Sequence, residues 1–258
     1  MKSNPSEIWK LYGQALTRIL GEAPEYEEHR SNQGILILSG EMVADLNYAL
    51  IDSGADSAEF LTEAINIVKN RKLPLIVILT QAAAAELNPL AGRLGLQSGG
   101  QLPLMQNIPE GIISTSGDFE IRKVSCPDEL DAVSELEARA FEMPREAVAR
   151  VNQQTVLQRK DISFYIALDN GIPVSTVQAT RSENICGIWS MATPPEHQGK
   201  GAGRALLASA LNDQIRNGTD WFYLMATLAG QKLYESLGFR TIDTASLWVS
   251  GHSSQARS

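Results

Sequence analysis

Between Ala192 and Arg204 the chain reads Ala-Thr-Pro-Pro-Glu-His-Gln-Gly-Lys-Gly-Ala-Gly-Arg. Gly199, Gly201 and Gly203, with Ala202 among them, leave a row of backbone N–H groups unobstructed by side chains. The periodic segment from about Ala202 to Arg216 reads as a helix, and its positive dipole end faces the same loop. Such a cradle suits a phosphate or pyrophosphate. Lys200 and Arg204 add two positive charges, and no acid interrupts the run from His197 to Arg204. An isolated Gly-x-Gly more often makes only a tight strand-to-helix turn, so the context decides. The spacing is not the dinucleotide fingerprint: Arg204 and Leu206 stand where it would need glycine, and no acidic residue follows about twenty residues on at a strand end. Nor is it a Walker loop, because Gly-Lys-Ser/Thr is absent.

The stretch Gln198-Gly-Lys-Gly201-Ala-Gly203 resembles the Arg/Gln-x-x-Gly-x-Gly/Ala signature of the GNAT N-acetyltransferase superfamily. It follows the strand end Met191-Ala192-Thr193-Pro194. Downstream, Leu233-Tyr234-Glu235-Ser236-Leu237-Gly238-Phe239 is similar to the superfamily's second hallmark, and the resemblance covers about Phe119 to Ser250. It implies that the backbone of Met191, Ala192 and Thr193 pairs with a pantetheine arm like an added strand. Gln198, Gly199, Lys200, Gly201, Ala202, Gly203 and Arg204 would hold the pyrophosphate of acetyl-CoA, a co-substrate used without metal. Strands ending at Met191 and Ala226 would splay to admit the thioester, which an amine attacks without a covalent enzyme intermediate. Tyr234 would then protonate the departing thiolate. That role suits a phenol, whose pKa near 10 leaves it protonated at pH 7, although a core tyrosine is the plainer alternative. The chain departs from the pattern at Thr227, where many members have Asn, and at Gly230, where a small Ala is common. Threonine still hydrogen-bonds pantetheine, so the departure touches the detailed contact. The general base is not legible: Glu183, Glu196 and Glu142 are candidates beside a water chain. His197 reads as a loop residue, and Trp189 and Trp221 as core aromatics beside the expected cleft.

These residues need elements to position them. Asn4-Pro5-Ser6-Glu7 reads as a helix start, with a helix to about Leu20. Ile35 to Leu38, Ser39-Gly40 and Met42 to Ile51 read as a hairpin. A helix capped by Ser57 carries Phe60, Leu61, Ala64, Ile65 and Val68 at the 3.6 period. Leu75 to Leu79 is a buried strand, and Gln81 to Leu94 reads as a helix interrupted by Pro89. The Ser/Thr/Gly-rich stretch from Ile112 to Gly117 is the linker candidate, dividing the chain into 1–117 and 118–258. Beyond it come a strand from Phe119 to Val124 and helices over Asp128 to Phe141 and Pro144 to about Gln158. Ser163 to Leu168 and Ile172 to Thr180 form a hairpin about Asp169-Asn170-Gly171, and Ile185 to Met191 adds a third strand. After the Gly-rich loop and its helix, Trp221 to Ala226 is a strand, and a last helix and hairpin close the chain.

The two halves repeat weakly at an offset of 143 residues, so that Leu90 to Leu96 falls on Leu233 to Phe239. Phe60, Leu61, Ala64 and Ile65 share the spacing of Leu206, Leu207, Ala210 and Leu211. The expected fold is therefore of α/β class: two tandem GNAT-like halves with a mixed sheet, helices on both faces, and a splayed parallel strand pair in the second. The first half lacks the equipment. Its counterpart of the phosphate loop reads Asp52-Ser-Gly-Ala-Asp56-Ser, with two acids, and Ala91 replaces the tyrosine. It reads as a degenerate relative kept for shape, for the acceptor pocket or for homodimer contacts.

Composition narrows the partners. The 258 residues carry 22 Lys+Arg against 30 Asp+Glu, a net charge of −8 that repels a phosphate backbone, so nucleic acid is not expected. The longest apolar runs, Ile35 to Leu38 and Leu75 to Leu79, fall far short of the ~20 residues a membrane helix needs, so no membrane partner is expected. Cys126 and Cys186 form no CxxC or Cys/His spacing, and no signal-peptide pattern opens the chain, which places it in the cytoplasm. The expected function is acetyl transfer from acetyl-CoA to a primary amine of a small molecule. A non-catalytic acyl-CoA-binding or sensor module is the alternative.

Overall fold

A computed structural model describes residues 4–115 and 117–251; Ser116 of the expected linker and residues 252–258 of the expected second domain lie outside the described residues. Contacts divide the chain into two compact units. One comprises Met1–Leu104, Met225–Ala229 and Thr241–Ser258, the other Met105–Leu224 and Gly230–Arg240.

The first unit opens with α1 (Pro5–Leu20), whose N-cap Asn4 accepts the Ser6 N–H through its side chain. There follow β1 (Glu27–Arg30), β2 (Gly34–Leu38), β3 (Asn47–Ile51), α2 (Ser57–Arg71), β4 (Leu75–Leu79), α3 (Gln81–Arg93) and β5 (Gln97–Asn107). Strands pair in the order β1-β2-β3-β4, and the last strand of the chain, Arg240–Ser250, returns to lie antiparallel on β4. The expected hairpin is shorter than the sequence suggested, because its second strand starts at Asn47 rather than Met42. The buried Asn47 side chain holds the intervening loop instead. Its Oδ1 accepts the Ser39 N–H at 3.1 Å, and its amide donates to the carbonyls of Glu41 and Val43 at 2.8 and 3.0 Å. β1 escaped the pattern search because it is the polar edge strand Glu-Glu-His-Arg, where charge guards an open edge. Pro89 does not end α3, which Thr80 caps by accepting the Ala83 N–H.

Alternation along the strands sets which helix covers which face. Leu75, Val77 and Leu79 of β4 join Leu61 and Ile65 of α2 and Leu87 of α3 in one core cluster. On the other face, Gly13 of α1 comes so close that an added Cβ would stand 3.4 and 3.5 Å from Ile35 and Leu50.

The second unit contains β6 (Glu120–Lys123), α4 (Pro127–Ala140), α5 (Arg145–Val151), β7 (Ile162–Asp169), β8 (Ile172–Ser182), β9 (Ile185–Ala192) and α6 (Ala202–Arg216). The chain then runs through β10 (Trp221–Met225) and α7 (Leu228–Glu235) into β11, the strand already met at Arg240–Ser250. A single strand, not a hairpin, thus follows the last helix. Strand order is β10-β9-β8-β7-β6, antiparallel except for β9 and β10. The turn between β7 and β8 has Asn170 and Gly171 at φ of 51° and 81°, as its sequence requires. Phe164, Ile166 and Leu168 of β7 pack with Leu130 and Val133 of α4. Tyr165, between them, turns to the opposite face, donating to Asp213 of α6 at 2.6 Å and accepting from Gln214 at 2.8 Å. Helices therefore lie on both faces of a mixed sheet. The helix expected from Pro144 to Gln158 stops at Val151, because the Asn152 amide is drawn to Glu137 at 2.8 Å, and a 3-10 turn follows over Gln154–Gln158.

The repeat is visible in backbone detail. α3 and α7 both finish on a left-handed glycine, Gly95 and Gly238, at φ of 90° and 91°. In each, the next residue closes the helix with a six-to-one bond, Leu96 N–H to Ala91 C=O and Phe239 N–H to Tyr234 C=O, both 3.1 Å.

Candidate active site

The site is built where β9 leaves β10. The two strands pair in parallel from Ile185↔Trp221 to Gly187↔Tyr223 and no further, although β9 runs on to Ala192. Gly187 marks the parting. A Cβ there would stand 2.6 Å from the Trp189 indole nitrogen and 2.8 Å from the Tyr223 phenol. Trp189 packs edge-on against Tyr223 at 6.1 Å and donates to Thr180 at 2.7 Å; Trp221 tilts against the same tyrosine at 6.2 Å. Both tryptophans are half-buried and pack against Tyr223.

Beyond the parting, β9 carries a bulge. From Gln178↔Trp189 to Thr176↔Ala192, β8 advances two residues while β9 advances three. Ser190 absorbs the difference at φ 45°, a left-handed conformation that a non-glycine residue seldom adopts. Ala192 and Thr193 follow, held from below: the Ser175 hydroxyl donates to the Ala192 carbonyl at 3.0 Å and lies 2.8 Å from Thr193 Oγ1. The Gln198 amide donates to the Thr193 carbonyl at 2.8 Å, folding the loop back onto the strand end.

The loop itself rests on its glycines. Gly199 and Gly201 adopt φ of 75° and 88° with open space about the Cβ position, and Gly201 is the N-cap of α6. Gly203 is needed for proximity, since a Cβ there would stand 3.0 Å from the Met191 methyl, 3.3 Å from Thr193 Oγ1 and 3.9 Å from Leu233. Met191, Thr193, the start of α6 and the α7 residue preceding Tyr234 therefore meet at one point. Ala202 is buried in the first turn of α6, and Lys200 is exposed at the loop tip. Arg204 donates to the Ser114 carbonyl at 3.4 Å, so this cation is tethered to the linker. Thr227 directly precedes α7, and Gly230 lies in its first turn.

Tyr234 is 9 % exposed, and its ring meets Phe239 edge-on at 5.9 Å. Burial pushes its pKa up to about 12, so its O–H stays intact at neutral pH. The hydroxyl is then a hydrogen-bond donor, and that bond strengthens when a nearby atom in the same apolar surroundings takes on negative charge.

The structure brings none of the three candidate bases to this point. Glu183 occupies the turn at the far end of β9, at φ 53° and exposed. Glu196 is paired with Arg139, with His197 4.0 Å away, and Glu142 stands exposed after α4. A buried carboxylate that the sequence reading missed is Glu137 of α4, which is 5 % exposed. Its Oε2 accepts from Asn152, and its Oε1 has no partner among the described residues. Burial pushes its pKa up to about 7, against the opposing pull of the Asn152 and Ser190 donors. A signal was available, because Leu130, Val133, Ser134 and Glu137 follow the spacing of a buried helical stripe.

Among the described residues no group of three or more His, Cys, Asp or Glu side chains is placed to hold a metal, and no helix is long and apolar enough to cross a membrane.

Residues 160–241 match a family model described as an acetyltransferase (GNAT) domain. No curated protein matches the sequence. Among solved structures, a GCN5-related N-acetyltransferase from Kribbella flavida is similar at a TM-score of 0.72 and 16% identity, over 98% of this chain and 97% of that one. A second, from Sphaerobacter thermophilus, gives 0.62 and 16% over 96% and 93%. A tandem GNAT protein from the clavulanic acid biosynthesis pathway gives 0.59 and 14% over 89% and 85%. Residues 160–241 thus carry the match to a GNAT acetyltransferase domain, and the chain shares its fold with these neighbours.

Proposed function

We propose that the chain transfers the acetyl group of acetyl-CoA to a primary amine of a small molecule by direct attack. The observation that carries this reading is the parting of β9 from β10 after Gly187 and Tyr223, with a left-handed glycine loop and the buried Tyr234 beside it. The fit is chemical as well as geometric. An unpaired length of β9 offers main-chain groups to an extended amide-bearing arm. The N–H groups at the start of α6, with Lys200 at the loop tip, suit a pyrophosphate. Gly203 allows the backbone approach that a side chain would deny.

In the reaction the amine nitrogen attacks the thioester carbonyl, the C–S bond breaks, and its electron pair goes to sulfur. Tyr234 donates its hydroxyl hydrogen bond to that sulfur as charge develops, its proton follows, and the proton that the nitrogen loses passes through solvent to restore the phenol. A free-thiol assay with acetyl-CoA and a panel of amino acids, aminoglycosides, polyamines and peptide N-termini tests the reading. Amine-dependent thiol release is the expected result. Acetyl-CoA binding without release for any amine would instead support a non-catalytic acyl-CoA-binding module.

A further inference from the structure

Where α2 and α3 end, the first unit holds an apolar groove of about 530 Å³, a volume within the range of small-molecule sites. Ile65 and Val68 of α2, with Leu73, Leu94 and Leu96 from the turns after the two helices, form its walls. Both helices close on the same six-to-one bond, Leu73 N–H to Val68 C=O at 2.9 Å and Leu96 N–H to Ala91 C=O at 3.1 Å. The residue before the closing one must be left-handed, and here the two ends part. α3 uses Gly95 at φ 90°, as α7 uses Gly238 at 91°, but α2 uses Lys72 at φ 59°. Glycine would take that conformation at no steric cost. The helix dipole does not call for the lysine either, because Lys69 and Arg71 already stand in the last turn. Lys72 is exposed and lines the groove.

Met42 lines the same groove and is 69 % exposed, more than any other large apolar side chain among the described residues. Its position is nonetheless fixed. The buried Asn47 amide donates to the carbonyls of both its neighbours, Glu41 and Val43, at 2.8 and 3.0 Å. Methionine adapts its shape to an apolar partner, which suits a residue held out in this way. Lys69 donates to the Leu94 carbonyl at 3.2 Å, which leaves its ammonium group two further N–H donors. No carboxylate lines the groove, in a chain of net charge −8. Apolar walls with two exposed ammonium groups complement an alkyl chain that ends in an anion. The seven residues after Gly251 do not match that description, since they carry a cation, Arg257, no acidic side chain and a single apolar residue, Ala256. From these features we infer that the groove binds a medium-chain fatty carboxylate, its tail against the apolar walls and Met42, its head at Lys69 and Lys72. This site lies in the first unit alone and does not rest on the acetyl-transfer reading.

Titration calorimetry of the full chain with octanoate is expected to show one equivalent bound. Butyrate, which lacks the tail, and 1-octanol, which lacks the charge, are each expected to bind at least tenfold more weakly. Saturating acetyl-CoA is expected to leave the Kd for octanoate within twofold. Lys72→Gly removes the charge and suits the left-handed turn, so octanoate is expected to bind at least fivefold more weakly with no fall in melting temperature. Met42→Ser, a change at an exposed position, is expected to weaken octanoate at least threefold, again with the fold intact. Either variant binding octanoate as the wild type does, or displacement of octanoate by acetyl-CoA, overturns the site. So does butyrate or 1-octanol binding as tightly as octanoate. A wild type that binds no octanoate also overturns it, and if that protein is a dimer which Met42→Ser separates, the groove belongs to a second copy of the chain. Each of these results holds whether or not any amine is acetylated.

Discussion

Two parallel strand pairs of common design end differently. In the first unit β3 and β4 pair from Tyr48↔Ile76 to Ile51↔Leu79, the last residue of each strand. In the second unit β9 and β10 pair only as far as Gly187↔Tyr223, and β9 runs on from Ile188 to Ala192 without its parallel neighbour. The first pair is also tied at its tip. Thr80 donates its hydroxyl to Asp52 at 2.7 Å and its N–H to the Ile51 carbonyl at 3.0 Å, and Ser57 donates to the Asp52 carbonyl at 2.7 Å. Where the second unit presents open backbone, the first has already spent its own on itself. The contrast also runs through the helix that follows each second strand, where Ala91 sits at the place of Tyr234 in an otherwise equal turn. One framework thus yields an open and a closed version of a single strand-end site.

The largest expected effect comes from closing the open version. At about 100 times its dissociation constant, a ligand that binds only the native state adds roughly 2.7 kcal/mol of stability, so acetyl-CoA is expected to raise the melting temperature of the wild type. Gly203→Val is expected to abolish that rise, because its side chain would push into Met191 and Thr193 where the two elements touch. Gly201→Val is expected to abolish it for a different reason. Its Cβ meets open space, but φ 88° is strained for a β-branched residue, so the loop must refold to accept it. A thermal scan with and without acetyl-CoA checks both, and a folded variant that keeps the full rise would place the pyrophosphate elsewhere.

Next in size is the tyrosine that the first unit lacks. Tyr234→Phe keeps the ring against Phe239 and deletes only the donor, so acetyl-CoA affinity is expected to hold while kcat falls at least tenfold. Slow product release could mask the loss, so single-turnover rates on a responsive amine are the deciding measurement. A wild-type rate would make Tyr234 a packing residue, as Ala91 is in its own unit.

How much of this contrast was legible follows from what each feature depends on. The glycine loop, the α6 boundaries and the β7–β8 turn could be read because local rules fix them: left-handed glycines, a 3.6 period, an Asn-Gly turn. The degeneracy of the first half was legible as two acids and a missing phenol. The burial of Glu137 was legible only in its spacing with Leu130, Val133 and Ser134, and its partner Asn152 arrives from beyond the helix. The Ser190 bulge likewise depends on the register of β8 against β9, which no local pattern states. β5 was unread because its polar and apolar residues do not alternate cleanly, and β11 was read as a hairpin rather than one long strand because its partner β4 lies far back in the sequence.

A smaller effect is expected at the tie that closes the first pair. Thr80 is buried and holds both Asp52 and the Ala83 N–H through one hydroxyl. Thr80→Val keeps the shape and removes both bonds, and a lost cap or buried hydrogen bond costs about 1 kcal/mol each. Denaturant unfolding is expected to register that loss, while the acetyl-CoA-induced rise in melting temperature stays that of the wild type. A weakened ligand response would mean that the closed site serves the open one.

The smallest expected effect separates two reasons for the first unit's silence. Its loop carries Asp52 and Asp56, whose charges repel a pyrophosphate, and its strands are paired to their ends, which leaves no main chain to bind an extended arm. The sequence suggests the first reason and the structure adds the second. Asp52→Asn with Asp56→Asn removes both charges and leaves the strands alone, because an Asn side-chain oxygen still accepts from Thr80 and from the Ser53 N–H. If strand closure is the controlling fact, titration calorimetry will show one equivalent of acetyl-CoA per chain in this variant, as expected for the wild type. A second equivalent would show that repulsion alone kept the site empty. Closure is the stronger expectation on physical grounds. Exposed charges are screened over about 10 Å at ordinary salt, whereas unzipping the strand tip breaks paired backbone groups that the ligand must then replace one for one.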